Sequence, residues 1–140
     1  MAVTPFTDIK AIKAILDTDP YLGKLGFMPD NIFEANISDE EITEDTLGIY
    51  IYSSFPDGAV KGFTSRQVYT IDVIGNKKKK GSVMHAIEQI VALLLNKEIG
   101  NNHVLQLRYP PMQMSSPAET MVYETAFVVE TTVFNPIKTI

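Results

Sequence analysis

Apolar positions change period three times along the chain, and each change marks a new kind of element. After Thr7-Asp8, a pair suited to capping a helix, Ile9, Ile12 and Leu16 recur at spacings of three and four, joined by Ala11 and Ile15. This pattern predicts an amphipathic first helix. Pro20 disfavours helix at Asp19, so an interruption is expected there, with Tyr21 to Leu25 as a short continuation. Gly26 to Asn36 reads as loop or short strand anchored by Ile32 and Phe33. Ile37 to Asp45 is mostly acidic and is expected as an exposed loop or a single helical turn capped by Ser38.

The period then falls to two. Leu47 to Phe55 is rich in Ile and Tyr. In Arg66 to Ile74, Tyr69, Ile71 and Val73 share one face while Val68, Thr70 and Asp72 share the other. Pro56-Asp57-Gly58 signals a turn between these strands. From Ser82, a candidate cap, the helical period returns to about Glu98, with Val83, Ile87, Ile90, Val91 and Leu94 as its stripe, Met84 widening it and Gly100 placed as a terminating residue. Val104 to Tyr109 alternates again, with Leu105, Leu107 and Tyr109 on one face, and Pro110-Pro111 is expected to stop it. Met121 to Phe134 is a long strand with Tyr123, Phe127, Val129 and Val133 facing one way and Glu124, Glu130 and Thr132 the other.

The order helix, strand, strand, helix, strand, strand predicts one α+β domain over residues 1–140. A mostly antiparallel sheet of about four strands, near 47–55, 66–74, 103–109 and 121–134, should carry two main helices. Ile87, Ile90, Val91 and Leu94 should be buried against Ile71, Val73, Leu105, Leu107, Phe127 and Val129. The first two strands should pair through a 56–65 tip and the last two through a 110–120 loop. Both connections are long for hairpins and are expected to project and carry binding.

At 140 residues and 45% hydrophobic composition, the chain can bury a real core. The longest apolar run, Ile90 to Leu95, is far short of a membrane span, and the N-terminus has no secretory pattern. With no cysteine, the sequence offers no disulfide, thiolate ligand or cysteine nucleophile. The net charge is −5, unevenly spread: residues 1–48 carry −7 and the rest +2. Net acidity argues against specific nucleic-acid binding. The basic run Lys77-Lys78-Lys79-Lys80 reads first as a solvated turn, and second as an electrostatic contact with an acidic surface such as Asp39, Glu40, Glu41, Glu44 and Asp45 of another copy.

Candidate chemistry is sparse. His85 and His103 lack zinc-ligand spacing, and Ser82 beside His85 lacks the third group and oxyanion site of a hydrolase. The acidic stretch lacks the alternating ligands and central glycine of a calcium loop. Asp72 reads either as a buried acid or as a residue facing solvent or a neighbouring subunit. Tyr50 and Tyr52 share a strand face, but their acidic flank suits core or interface packing better than RNA stacking. No catalysis, cofactor or metal is expected.

In element order and texture the chain resembles the tail-completion proteins of long-tailed bacteriophages, also called tail terminators or head-to-tail joining proteins. The resemblance spans roughly residues 7–133. It rests on the helix Ile9 to Leu16, the acidic stretch, the pattern Val68-Tyr69-Thr70-Ile71-Asp72-Val73, the helix Ser82 to Lys97, and the closing strand Tyr123-Glu124-Thr125-Ala126-Phe127-Val128-Val129. Lys77 to Lys80 and Pro110-Pro111-Met112 depart from the family pattern. The resemblance implies a virion protein, assembled in the host cytoplasm, whose usually hexameric ring caps the tail tube and docks it to the head connector, or stopper. Its expected partners are its own copies, the tail tube protein and the connector, with no membrane. The residues expected to meet partners are Gly58, Lys61 and Phe63 in the tip, Lys77, Lys78, Lys79 and Lys80, and Met112 and Met114, with Asp39 to Asp45 as an inter-subunit acidic patch. The rival is a small enzyme or ligand-binding α+β domain with an unrecognised site.

Overall fold

The computed structural model describes residues 5–53, 64–100, 103–117 and 119–132. Its elements run α1 (Pro5–Asp17), α2 (Pro20–Lys24), β1 (Ile32–Phe33), β2 (Gly48–Ser53), β3 (Thr64–Asn76), α3 (Lys80–Leu94), β4 (Glu98–Ile99), β5 (His103–Val104), β6 (Gln106–Met114) and β7 (Thr120–Thr132), with 3-10 turns at Pro29–Asn31, Asp39–Glu41 and Lys77–Lys79. Five strands form one sheet in the order β1-β2-β3-β7-β6, and β4 and β5 make a small separate ladder. The fold is α+β as expected. The sheet is mixed, because β1 pairs parallel with β2 while every other neighbour is antiparallel.

The two long strands β3 and β7 pair along their whole lengths, from Thr64 opposite Thr132 to Asn76 opposite Thr120. Odd-numbered residues of β2, β3 and β7 face the helices. There Ile49, Ile51, Tyr69, Ile71, Val73, Phe127 and Val129 form the main core with Val83, Ile87, Ile90 and Leu94 of α3 and Ile12 and Leu16 of α1. Val91 is only partly buried, and Met84 is exposed. The even-numbered face is not bare. Tyr50, Ile74 and Val122 make a second apolar cluster under Ile37, Ile42 and Met114, so the acidic segment folds across this face as a strap. Tyr50 also stacks on Phe33, with ring centroids 4.9 Å apart.

Helix boundaries depart from expectation for local reasons. Asp19 caps α2, its carboxylate accepting from Leu22 N, as the Asp-Pro pair suggested. Helix α1 starts earlier, at Pro5, which puts Asp8 inside the helix rather than at its cap. Helix α3 starts at Lys80. The capping is done upstream, where Asn76 Oδ1 accepts from Lys78 N, so Ser82 lies within the first turn. The helix stops at Leu94. Asn96 takes the left-handed conformation (φ 62°), and Lys97 N returns to Leu94 O, a role the sequence had given to Gly100. Ser38 does cap its acidic turn, in a reciprocal pairing with Glu41.

The largest correction concerns Pro110-Pro111. Strand β6 runs through both prolines to Met114. This is allowed because β6 is an edge strand, where missing donors need not meet a neighbour, and because its register slips on either side of Tyr109. The expected 110–120 loop therefore shrinks to the few residues between β6 and β7, and Met112 and Met114 are strand residues. The first slip has a second effect. Leu107 stays opposite Phe127 on the helix side, but Tyr109 falls opposite Ala126 and is carried to the other face.

Gly75 sits where β3 passes against Val83 in the first turn of α3. A Cβ there would stand 2.6 Å from Val83 Cγ2. Gly75→Ala is expected to cost about 1–3 kcal/mol through forced repacking of the α3 N-terminus. Urea unfolding checks this, and Val83→Ala in the same chain should recover part of the loss.

Candidate functional site

Two buried polar clusters stand out, one on each face of the sheet. On the helix side, Asp8 continues the stripe of Ile12 and Leu16 and is only 1% exposed. The Tyr69 hydroxyl, from the middle of β3, donates to Asp8 Oδ2. His103 Nδ1 lies 3.3 Å from the same oxygen. Burial, then the bond to Asp8, holds the Tyr69 phenol well above its ordinary pKa, so it stays a donor. The cluster ties α1, β3 and β5 together.

On the other face, Asp72 and Glu124 are directly opposite in the β3–β7 register. Two like charges in such a pair destabilise a sheet. The Tyr52 hydroxyl bridges them, 3.0 Å from Asp72 Oδ2 and 3.4 Å from Glu124 Oε2, and the Tyr109 hydroxyl donates to Glu124 Oε1 at 2.6 Å. The Tyr109 contact exists because of the slip in β6. Desolvation, then the nearby Glu124 carboxyl, pushes the Asp72 pKa up to about 8, against the lowering effect of the Tyr52 bond. At neutral pH burial and the neighbouring acid therefore keep the Asp72 carboxyl protonated. Burial and the two acids in turn raise Tyr52 and Tyr109. Asp72, Glu124 and Tyr52 line a cavity of about 500 Å³ beneath the strap, with Ile37, Ile42 and Met114 among its apolar walls.

Of the residues expected to meet partners, Lys77, Lys78, Lys79 and Lys80 are all exposed at the end of β3. Asp39, Glu40, Glu41, Glu44 and Asp45 are exposed as well. The two charged stretches approach each other within one chain. Glu44 O accepts from Asn76 Nδ2, and Glu44, Asp45, Lys78 and Lys79 line one crevice. Met112 is exposed and Met114 half-buried, both on β6. Gly58, Lys61 and Phe63 lie outside the described residues. Tyr50 is buried and Tyr52 half-buried, in keeping with the reading of core or interface packing. His85 is exposed, 3.7 Å from Glu88.

The buried alternative for Asp72 is the one observed, while neither cluster as a whole was anticipated, though each left a signal. Asp8, Ile12 and Leu16 are four apart, which places the acid on the buried stripe. Thr70 and Ile74 flank Asp72 on its own strand face, with Val68 beyond, and Val122 and Ala126 flank Glu124. The pairing of Asp72 with Glu124 is set by strand register and has no local signal. Among the described residues no group of three His, Asp or Glu side chains converges as a metal-ligand set, and no helix is long and apolar enough to cross a membrane.

Comparisons with protein-family models and with curated proteins each give no match. Solved structures do match, along nearly the whole chain. One is a chain from the "virion of native gene transfer agent (GTA) particle", at TM-score 0.63 and 13% identity, covering 89% of this chain and 94% of that one. A second solved chain matches at TM-score 0.51 and 12% identity, over 92% and 96% of the two chains. At these identities the likeness establishes a shared fold.

Proposed function

We propose that this chain is a structural virion protein which forms a ring, capping the tail tube of a phage-like particle and joining the tail to the head connector. The observation that carries the reading is the end-to-end fold likeness to a chain of a gene transfer agent virion. The likeness supports a virion role, and the element order seen in the sequence supports the finer assignment to tail completion. A ring is built from heterologous contacts whose rotation closes, so different surfaces of one chain must meet. Lys77 to Lys80, the acidic strap, the exposed Met112 edge of β6, and Gly58, Lys61 and Phe63 of the expected 56–65 tip are assigned to such contacts.

The test is solution mass by light scattering over a range of concentrations, followed by electron microscopy. The expected result is a closed ring, hexameric on the family pattern, formed alone or with the tail tube and connector proteins. A strict monomer, alone and with those partners, overturns the reading. It would favour a small enzyme or ligand-binding domain, for which the cavity holding Asp72 and Glu124 is the specific supporting observation.

A further inference from the structure

We infer that the cavity on the strap side of the sheet is a socket for a cationic side chain, lysine or arginine, presented by a second copy of this chain. The inference rests on the ring reading above and assigns one of its contacts.

Asp72 and Glu124 are forced together by strand register, not by choice of rotamer. Asp72 is 8% exposed, and its Oδ1 has no hydrogen-bond partner among the described residues. Such an oxygen ordinarily costs stability unless something satisfies it. The groups facing Asp72 are Tyr52 from β2, Glu124 from β7, Tyr109 from β6 and Asp39 from the strap. None is a cation, and among the described residues no lysine, arginine or histidine figures among the causes acting on Asp72. Within one chain the pair relieves its repulsion by keeping a proton. An ammonium or guanidinium group does the same work with more donors, satisfying Oδ1 and balancing a second negative charge as the proton leaves. The cavity, at about 500 Å³, has room for such a side chain beneath walls that would cover its aliphatic stem.

Charge complementarity points to the occupant. Lys77 to Lys80 are contiguous and exposed, and make no ion pair with the described residues. On their own chain they lie beyond Asn76, beside Glu44 and Asp45, and do not act on Asp72. A neighbouring copy can present them where their own chain does not. Socket and lysine run are different patches of one surface, as a head-to-tail contact requires. Because cation entry expels the Asp72 proton, association tightens as pH rises toward about 8, where Asp72 titrates.

The experiment compares self-association of the full chain with Asp72→Asn, Glu124→Gln, and a surface variant carrying Lys77→Gln, Lys78→Gln, Lys79→Gln and Lys80→Gln. Mixed isotopically light and heavy copies are also joined by zero-length carbodiimide cross-linking. Each variant is expected to weaken association about tenfold or more, and Asp72→Asn to flatten its pH dependence. The cross-linked peptides should contain an amide between Asp72 or Glu124 and a lysine of the other copy. A lysine outside 77–80 keeps the socket and relocates its occupant. If wild type and all variants assemble alike, the socket is overturned while the ring reading stands. If the wild type never assembles, the ring reading falls and the socket with it. If a chelator dissolves the assembly, a metal ion occupies the pair and the amine assignment is overturned. The lysine variant changes only exposed side chains, so a folding defect in Asp72→Asn leaves the question answerable.

Discussion

Asp8→Ala is expected to lower folding stability by about 2–5 kcal/mol, because one truncation strands a buried partner and a half-buried one. The Tyr69 hydroxyl, on a fully buried ring, loses its acceptor, and His103 loses the carboxylate beside its Nδ1. A cavity also opens under the first turns of α1. Tyr69→Phe deletes the donor but keeps the ring and leaves Asp8 with His103, so its cost should be smaller, about 1–3 kcal/mol. The double variant should cost less than the two single losses combined, because the interaction is removed only once. Urea unfolding of the four proteins gives the cycle. A loss below about 1 kcal/mol for Asp8→Ala would mean that α1 is held by Ile12 and Leu16 alone.

Periodicity alone made most of this fold legible. The stripe Val83, Ile87, Ile90 and Leu94 needed only helical spacing to be recognised, and all four residues are in the core. The odd-numbered face of β3 needed only alternation. What escaped falls into two physical kinds. One is edge context: Pro110-Pro111 breaks a strand whose donors are needed, and β6 sits at an edge where they are not. The other is long-range register. Tyr109 was placed with Leu105 and Leu107 by counting, and an extra residue in β6 moves it to the opposite face and onto Glu124. The same holds for Asp72 and Glu124, 52 positions apart in sequence and adjacent only because β3 and β7 pair in one register. The Asp72–Glu124 site is thus a product of strand pairing, while the apolar core is a product of local pattern.

The Asp72–Glu124 pair should leave a signature in the pH dependence of stability. In the folded chain the Asp72 pKa is pushed up to about 8, chiefly by burial and by the neighbouring acid. In the unfolded chain an aspartate titrates near pH ~4. Between these values the folded state holds a proton that the unfolded state has lost, so stability falls as pH rises. The contribution is fully present below about pH 4, and is lost progressively up to about pH 8. Its slope approaches about 1.4 kcal/mol per pH unit for one whole proton. Asp72→Asn keeps the shape of the protonated acid and cannot ionise. Its stability should match wild type near pH 4 and exceed it by several kcal/mol near pH 8, with Tyr52 still able to donate to the amide oxygen. Taking the difference between the two proteins cancels every group that does not interact with Asp72. Urea unfolding of the monomer at intervals across this range makes the comparison. Parallel profiles would mean that Asp72 ionises freely in the folded chain, with water or the strap relaxing around it. A wild-type disadvantage that grows with pH, and vanishes when the protein assembles, would tie the cost of the carboxyl pair to an interface that relieves it.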